Sequence, residues 1–399
     1  MCARFAAKIA NPAQRYLVNA LSFFKTKHPS QTESLRLFLC GDVMTGRGID
    51  QVLPHPVTPV LHESYIRDAR RYVDSAEEAN GPIKRPVTFD YIWGETLPEL
   101  TRAKIDLKIV NLETAITTAD KHWLGKGIHY RMHPRNVPCL SAPGINACAL
   151  ANNHVLDWGH AGLAETLRTL DAARIAHAGA GKNLQEAGAP AVLIVASKPR
   201  VLLYSIGSTS SGIPGDWRAT NVSAGVSLVD DFSAATAARV AERMRQFQES
   251  GDLLVASIHW GGNWGYEIPY EQIAFAHRLI EEGVSVVHGH SSHHVKAIEV
   301  FKGKLILYGC GDFITDYEGI SSYKHFRRDL ALMYLVELDS QNGQLKSARL
   351  VPMRMRRFRL ERTSAADAIW LAKLLTKTGA PFGTRVDLAE DDSLTLGWQ

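Results

Sequence analysis

Short apolar runs, each followed directly by polar residues, recur along this sequence and constrain its fold more than any other feature. The runs have the length of β-strands, and amphipathic helical patterns separate most of them. In chain order they are LRLFLCGD (35–42), IDLKIVNLE (105–113), INACALANNH (145–154), VLLYSIGS (201–208), DLLVASIHWG (252–261) and VSVVHGH (284–290). This alternation predicts an α/β fold in which polar residues collect at the carboxyl ends of the strands, where ligands bind in doubly wound sheets.

The segments between and after these runs complete the prediction of the fold. Helices are predicted at residues 60–79, 95–103, 161–173, 234–249 and 270–282. The turn pairs Lys302-Gly303 and Asn342-Gly343 indicate two antiparallel hairpins. We therefore predict an α/β sandwich with helices outside, formed by a single main domain over residues 35–360. A C-terminal helical tail is predicted over residues 361–399.

Composition excludes several classes of protein. The chain has 399 residues, of which 45% are hydrophobic and 22% are charged, as in soluble globular proteins. A net charge of +4 is too small to indicate nucleic-acid binding. The 5 cysteines are odd in number and never spaced as CxxC, which favours reduced thiols in a cytoplasmic protein. No apolar run has the roughly 18 residues that predict a membrane-spanning helix.

The first 34 residues are basic, because no acidic residue precedes Glu33. Leu17, Leu21 and Phe24 stand at helical spacing, which predicts an N-terminal helix packed on the domain. Two alternatives are an organelle transit peptide and a helix that contacts a membrane surface.

The polar residues at the strand ends are types that bind transition metals. They are Asp42, Asn111, Glu113, Asn153, His154, His259, His290 and His293. Carboxylate oxygens and imidazole nitrogens suit Zn, Mn or Fe, and the lack of a nearby thiolate argues against a structural zinc site. A carboxylate such as Glu113 can bridge two ions about 3.5 to 4 Å apart. We therefore predict one or two divalent transition-metal ions.

Several longer motifs support a family relationship. They are GDVMTGRG, NLETAIT, LANNHVLDWG, HWGGNWGYEIPYEQ and GHSSHHVKAIEVFKGKLILYGCGDFITDYEG. In order and spacing they resemble the capsule-synthesis CapA family, also called the poly-gamma-glutamate synthesis family, over roughly residues 37–319. The fold of that family is that of the calcineurin-like metallophosphoesterases. The resemblance therefore implies a four-layer α/β/β/α sandwich.

The resemblance also implies a role for each residue of the site. Asp42 corresponds to a metal-binding aspartate, and Glu113 stands at the place of the bridging acid. Asn153 matches a metal-binding asparagine, whereas His154 matches a histidine that acts as an acid or electrostatic stabiliser beside the leaving group. The remaining metal ligands implied are His259, His290 and His293.

Two positions depart from the metallophosphoesterase pattern. Met44 stands where the first strand usually carries a histidine ligand, and a thioether binds hard metals poorly. The GHxH turn is lengthened to GHxxH, which displaces His293 by one position. One metal site is therefore expected to be weak, or to use Asp312 or Asp157 instead.

For some neighbouring residues the sequence favours a structural role or leaves two roles open. Asp157 either caps the following helix or holds His154, and the second role is favoured. Asn152 and Asn153 can form an Asx turn, although a ligand role is favoured for Asn153. His288 is predicted to be a buried core histidine on the opposite face of the strand from His290. His294 is expected to face solvent or a backbone carbonyl.

Two arginine-containing segments suggest an anionic substrate. Arg131, in GIHYRMHP, either faces the cleft as a catalytic residue that binds carboxylate or phosphate, or points outward from a strand. The segment RLVPMRMRRFRLER (349–362) carries 6 arginines. It is typical of a solvated sheet edge, or it binds an anionic polymer.

Two functions remain open from the sequence. The first is a metal-dependent hydrolase that acts on a phosphoester or a gamma-glutamyl amide, with His154, Arg131 and Asp157 as catalytic residues. The second is a non-catalytic accessory protein that binds polyglutamate or a synthase partner.

Overall fold

A computed structural model describes residues 14–18, 34–320 and 323–399 of the chain. Its β-strands are β1 (Gln14–Val18), β2 (Ser34–Val43), β3 (Leu107–Leu112), β4 (Ala115–Ile116), β5 (Arg131–Met132), β6 (Ala147–Ala149), β7 (Ala176–Ala178), β8 (Ala180–Gly181), β9 (Ala191–Val195), β10 (Val201–Ser208), β11 (Gly225–Val226), β12 (Leu228–Val229), β13 (Leu253–His259), β14 (Val286–His290), β15 (Ile298–Phe301), β16 (Lys304–Leu307), β17 (Asp312–Ile314), β18 (Leu330–Asp339), β19 (Leu345–Arg356), β20 (Arg359–Arg362), β21 (Thr384–Leu388) and β22 (Leu394–Trp398). Its α-helices are α1 (Arg47–Val52), α2 (Arg70–Asn80), α3 (Thr96–Ala103), α4 (Pro138–Ser141), α5 (Gly159–Ala172), α6 (Leu184–Gly188), α7 (Ala234–Arg245), α8 (Tyr270–Glu281) and α9 (Ala365–Gly379).

Two large mixed sheets form the centre of the fold. The first has the strand order β1-β9-β10-β13-β14-β16-β15, and β12 also pairs with β10. The second has the order β21-β22-β19-β18-β2-β3-β6-β7, with β17 paired to β2 and β20 paired to β19. The two predicted hairpins are present as β15–β16 and β18–β19, which pair antiparallel.

Three hydrophobic clusters define the layers. Leu37 and Leu39 of β2 pack against residues of the first sheet such as Val255, so one cluster lies between the sheets. Phe38 alternates with these leucines and lies in a second cluster, which contains residues of α2 and α5. Tyr204 of β10 lies in a third cluster with residues of α7 and α8. The predicted α/β/β/α layering of a sandwich is therefore confirmed.

The carboxyl end of β2 lies against the segment that leads into β17, a strand of the same sheet. The backbone N–H of Asp42 donates a 2.9 Å hydrogen bond to the carbonyl of Gly311, just before β17. A Cβ atom added to Gly41 would lie 1.6 Å from that carbonyl oxygen, so only glycine allows the two segments to cross. This crossing pairs Asp42 with Asp312 in the β2–β17 register.

Both termini differ from the predictions. Gln14–Val18 form β1, which pairs parallel with β9, so these five residues are not helical. The rest of the predicted N-terminal helix lies outside the described residues. At the other end α9 forms as predicted, but β21 and β22 follow it and β22 pairs with β19. Residues 361–399 are therefore not only a helical tail: alternate residues such as Leu394 and Leu396 are buried between the sheets.

None of the helices within the described ranges has both the length and the apolar character that a membrane span requires.

Candidate metal centre

Two buried carboxylates are held together by one amide. The side-chain nitrogen of Asn111 donates to Asp42 Oδ1 at 2.8 Å and to Glu113 Oε2 at 2.9 Å. Both acids are at most 3% exposed. Burial and the carboxylate of Asp312 raise the pKa of Asp42 to about 7, and burial and Asp42 raise the pKa of Glu113 well above its usual value. A cation placed here would stabilise the ionised forms of both.

Two histidines face these carboxylates from neighbouring strands of the other sheet. His259 ends β13 and His290 ends β14, and their Nδ1 atoms lie 2.8 Å apart. Nδ1 of His259 is 3.9 Å from Glu113 Oε2, and Nδ1 of His290 is 3.9 Å from Asp42 Oδ1. Burial holds the pKa of each histidine well below its usual value, which favours the neutral, metal-binding form.

This donor set fits a divalent metal ion. Asp42, His259 and His290 each offer one ligand atom, and the three atoms lie within 4.8 Å of one another. Oδ2 of Asp42 is buried and has no hydrogen-bond partner among the residues that the structure describes. An unpartnered carboxylate oxygen beside neutral imidazoles is what a metal site requires when its ion is absent. The structure thus contains a possible metal-binding cluster of these three residues.

A second acid–histidine pair extends the cluster. Nδ1 of His293 lies 2.8 Å from Oδ1 of Asp312, whose Oδ2 has no partner in the described part of the chain. Burial lowers the pKa of His293, but the carboxylates of Asp312 and Asp42 outweigh it and raise this pKa. Met44 is buried and receives a weak 3.6 Å hydrogen bond from the Tyr317 hydroxyl. Of the two acids considered as substitutes for the missing histidine ligand, Asp312 lies opposite Asp42 in the β2–β17 register and beside His293.

A further group of residues lies on the Glu113 side of the cluster. Nδ1 of His154 is 2.6 Å from Asp157 Oδ2, and Nε2 of His154 is 3.9 Å from Glu113 Oε1. The ammonium of Lys126 donates to Asp157 Oδ1 at 2.5 Å. Helix α5 begins at Gly159 without a side-chain cap, so Asp157 holds His154 and does not cap the helix. This was the favoured alternative.

Electrostatics determine the resting form of His154. Burial lowers the pKa of His154 to about 4, so the ring is neutral near pH 7. Burial opposes ionisation of Asp157, but His154 and Lys126 outweigh it and lower the pKa of this acid. An ionised carboxylate only accepts hydrogen bonds, so the proton of His154 stands on Nδ1. The unprotonated Nε2 then faces Glu113 and the metal cluster.

The two asparagines of LANNH have different positions: Asn152 forms the predicted Asx turn, and Asn153 lies beside a histidine of the cluster. Asn152 forms the Asx turn, because its Oδ1 accepts from the N–H groups of His154 and Val155 at 3.1 Å each. Its amide nitrogen also donates to Asn111 Oδ1 at 3.0 Å. Oδ1 of Asn153 instead lies 3.0 Å from Nε2 of His259. The turn therefore leaves Asn153 directed at the cluster.

Comparison with known proteins identifies the family of this chain. Residues 36–317 match the family described as Bacterial capsule synthesis protein PGA_cap. The chain belongs to this family. Two relatives from strains of Mycobacterium tuberculosis, each described as a probable polyglutamine synthesis accessory protein, are 45% identical over 361 residues, or 90% of this chain and 95% of the relative. The capsule biosynthesis protein CapA of Bacillus anthracis is 22% identical over 352 residues, or 86% of this chain and 77% of the relative.

Within this PGA_cap chain, the contacts of Arg131 point away from the metal cluster. Its guanidinium donates to the carbonyl of Ala119 at 2.6 Å and to the hydroxyl of Thr58 at 2.9 Å. Its guanidinium carbon also lies 3.8 Å from the centroid of the Trp158 ring. The sequence left two positions open for Arg131, one facing the cleft and one pointing outward from a strand. Its contacts are not with the metal cluster, and a side chain that is only 7% exposed does not point into solvent.

The arginine next to the centre is one that the sequence analysis did not single out. Arg47 is 3% exposed, and its guanidinium binds Asp316 through two hydrogen bonds of 3.1 and 2.5 Å. It also donates to Glu63 at 2.8 Å. The guanidinium carbon lies 4.3 Å from the centroid of Tyr130, whose ring makes an edge contact with His154. The motif GDVMTGRG could have indicated Arg47, because this charged residue stands between two glycines shortly after Asp42.

The position of Asp312 near the cluster could be inferred from the sequence, whereas that of Lys126 could not. Asp312 lies in a second copy of the tripeptide CGD, at 310–312, which repeats the CGD at 40–42 that contains Asp42. The repeat was a usable signal for two equivalent aspartates. Lys126 stands in a loop without an apolar run, so nothing local indicated its contact with Asp157.

The outer histidines of VHGHSSHHV are structural. His288 is buried as predicted, with Nε2 2.8 Å from the carbonyl of Cys40. The predicted opposite face was wrong: His288 and His290 both contact the Ser257 hydroxyl, because side chains two positions apart on a strand share a face. His294 is 1% exposed, and its Nδ1 lies 3.0 Å from the carbonyl of Val295.

Proposed function

We propose that this chain is a metal-dependent hydrolase in which Asp42, His259 and His290 bind a divalent transition-metal ion. The observation that carries the proposal is the grouping of Asp42, His259 and His290, in which both histidines are neutral and Oδ2 of Asp42 is buried without a hydrogen-bond partner among the described residues. Oxygen and nitrogen donors without a thiolate favour Zn, Mn or Fe. A second ion would draw on Glu113 and Asp312, whose carboxylates flank the first three ligands.

The ion supplies Lewis acidity, which lowers the pKa of water and stabilises negative charge on a substrate oxygen. The chain supplies the proton transfer. Nε2 of His154 faces the cluster, while Asp157 fixes the ring through Nδ1 and Lys126 fixes Asp157. His154 is therefore oriented to take a proton from the attacking group or to give one to the leaving group.

The substrate proposed is anionic, either a phosphoester or a gamma-glutamyl amide. A phosphoester is suggested by the likeness to metallophosphoesterases. A gamma-glutamyl amide is suggested by the resemblance to the poly-gamma-glutamate synthesis family. A relative from Bacillus subtilis described as a PGA biosynthesis protein, 25% identical over 64% of this chain and 64% of the relative, also supports it.

A second candidate is a non-catalytic accessory protein that keeps the metal for structure and binds polyglutamate or a synthase partner. The burial of the cluster favours it, because Asp42 and His290 are 0% exposed and His259 is 1% exposed. A site of this kind needs rearrangement before a large substrate reaches the ion.

Elemental analysis followed by substrate screening separates the two functions. Purified protein is analysed for bound metal and then assayed on phosphoester and gamma-glutamyl substrates. His259→Ala is expected to lose the metal and the activity together, whereas the matched control His160→Ala, at an exposed position of α5, retains both. Retention of metal and activity by His259→Ala contradicts the hydrolase proposal. Bound metal without turnover on either substrate class favours the accessory function.

A further inference from the structure

A cavity of about 630 Å³ is lined in part by Tyr317, whose ring contacts His293 beside the metal cluster. Its wall includes Thr315, Tyr317, Arg328, Arg354 and Arg356. Arg354 and Arg356 belong to the arginine-rich segment 349–362, for which a solvated sheet edge and a binding site for an anionic polymer were both left open. The volume lies within the range of about 300 to 1,000 Å³ that is typical of ligand sites.

Some of the charges in this basic cavity are already neutralised. Asp329 accepts two hydrogen bonds of 2.9 Å from Arg327 and one of 3.1 Å from Arg354. The Glu318 carboxylate accepts from the backbone N–H groups of Arg357 and Phe358 at 2.7 and 2.6 Å. The acids at the wall are thus occupied by groups of the protein itself.

Two arginines at the wall keep their charge unmatched. Arg328 donates to the carbonyl of Ile320 at 2.7 Å, and it has no carboxylate within 4.0 Å among the described residues. Arg356 is exposed at the end of β19 and likewise has no ion pair in the described part of the chain. A site lined by uncompensated guanidinium groups attracts anions.

Tyr317 connects this cavity to the metal centre. Its ring makes an edge contact with His293, with centroids 5.6 Å apart, and the guanidinium carbon of Arg328 lies 5.1 Å from the centroid of the same ring. Thr315 follows β17, which begins at the Asp312 of the cluster. Thr315 is a residue of the cavity wall, so the cavity begins three residues after the Asp312 of the cluster.

We propose that this basic cavity binds the carboxylates of an extended acidic chain whose reacting group lies at the metal centre. The assignment of the reacting end rests on the proposed function. Guanidinium groups bind carboxylates through two parallel hydrogen bonds. Ile320 and Met355 add apolar surface to the wall, which suits the methylene groups between successive carboxylates. An acidic peptide combines both features, whereas a polyphosphate has no aliphatic part.

Binding of a fluorescent oligoglutamate to the full chain, measured by anisotropy, tests the proposal. The double variant Arg328→Ala/Arg356→Ala is expected to bind at least about 10-fold more weakly, since each lost charged hydrogen bond is worth about that factor. The control Arg243→Ala removes an exposed arginine from the last turn of α7, on the outer face of the other sheet, and is expected to bind like the unmodified chain. Equal binding by the double variant overturns the proposal.

Two further arms separate the cavity from the proposed activity. His259→Ala is expected to bind the oligoglutamate within about 2-fold of the unmodified chain, because His259 is not part of the cavity wall. Loss of binding in this variant overturns the cavity as the anchoring site. Arginine-dependent binding without turnover by the unmodified chain supports the cavity and contradicts the hydrolase. Polyphosphate that displaces the peptide equally well at equal charge overturns the assignment to carboxylates.

Discussion

Replacing Asp157 by asparagine tests how the residues next to the cluster are held. Three donors point at this buried carboxylate: Lys126 Nζ at 2.5 Å, the backbone N–H of Tyr130 at 2.6 Å and Nδ1 of His154 at 2.6 Å. An amide has one accepting oxygen, and its NH₂ group faces the remaining donors. Asp157→Asn therefore leaves at least one buried donor unpaired and removes the negative charge beside Lys126.

The size of the effect follows from these contacts. One unpaired buried donor costs about 1 to 3 kcal/mol, and removing one partner of a buried ion pair costs about 3 to 5 kcal/mol. Lys126 keeps a hydrogen bond to the carbonyl of Asn153 and is 14% exposed, so the second cost is reduced. We expect Asp157→Asn to lower the free energy of unfolding by about 3 kcal/mol at pH 7.

Urea denaturation measures this loss, and the pH dependence identifies its origin. The pKa of Asp157 is lower in the folded state, so its contribution is fully present above the unfolded pKa of about 4 and is lost as the pH falls through the folded pKa. The difference between the two proteins should be constant from about pH 5 to 8 and shrink in acid.

The variant is expected to keep the tautomer of His154. The single amide oxygen satisfies two donors when it takes the Oδ2 position, which accepts from Nδ1 of His154 and from the N–H of Tyr130, so the NH₂ group faces Lys126. The ring proton then stays on Nδ1, which NMR of the imidazole nitrogens detects. Asp230→Asn is the control, because Asp230 is 68% exposed in its pair with Arg218 and such surface pairs contribute about 0 to 1 kcal/mol. A loss below about 0.5 kcal/mol would refute the described role of Asp157 in stability, and a ring proton found on Nε2 would refute its described role in orienting His154.

Two other predictions concern the metal cluster and the close approach of Gly41 to Gly311. Metal affinity, measured by competition with a chelator, should fall as the pH drops through about 7. The reason is that the pKa of Asp42 is raised, so protons compete with the metal ion for this carboxylate. An affinity that stays constant from pH 8 to 6 would argue against Asp42 as a ligand. Gly41→Ala places a Cβ 1.6 Å from the Gly311 carbonyl oxygen and should cost about 2 to 4 kcal/mol in urea denaturation and weaken metal binding, whereas Gly188→Ala meets no atom within 4 Å and should be neutral.

Much of the fold could be predicted because its signals are local. Strand-length apolar runs, helical spacing and turn pairs are properties of consecutive residues, and they predicted the central strands and the two hairpins. The strands β21 and β22 were missed because neither contains a continuous apolar run, and β22 is held at the sheet by pairing with β19. The segment around Leu17 could form either a helix or a strand as judged from its sequence. Only its pairing with β9 makes it a strand.

The candidate site divides in the same way. Polar residues at the ends of apolar runs identified Asp42, His259 and His290 as possible ligands, because the carboxyl ends of parallel strands meet at one edge. The arginine prediction was less successful. Arg131 and Arg47 both follow strand-end motifs, and only their contacts showed that Arg47 is the one beside the rings of the centre.

Alternation along the chain was enough to establish the layered α/β sandwich and the chemical types at its strand ends. The choice among those polar residues required the packed structure, because it depends on contacts between segments far apart in sequence. The close approach of Gly41 and Gly311 brings Asp312 next to Asp42, and the buried donors around Asp157 set the proton on His154. Distances of this kind arise only when separate segments of the chain pack together, so no local pattern encodes them.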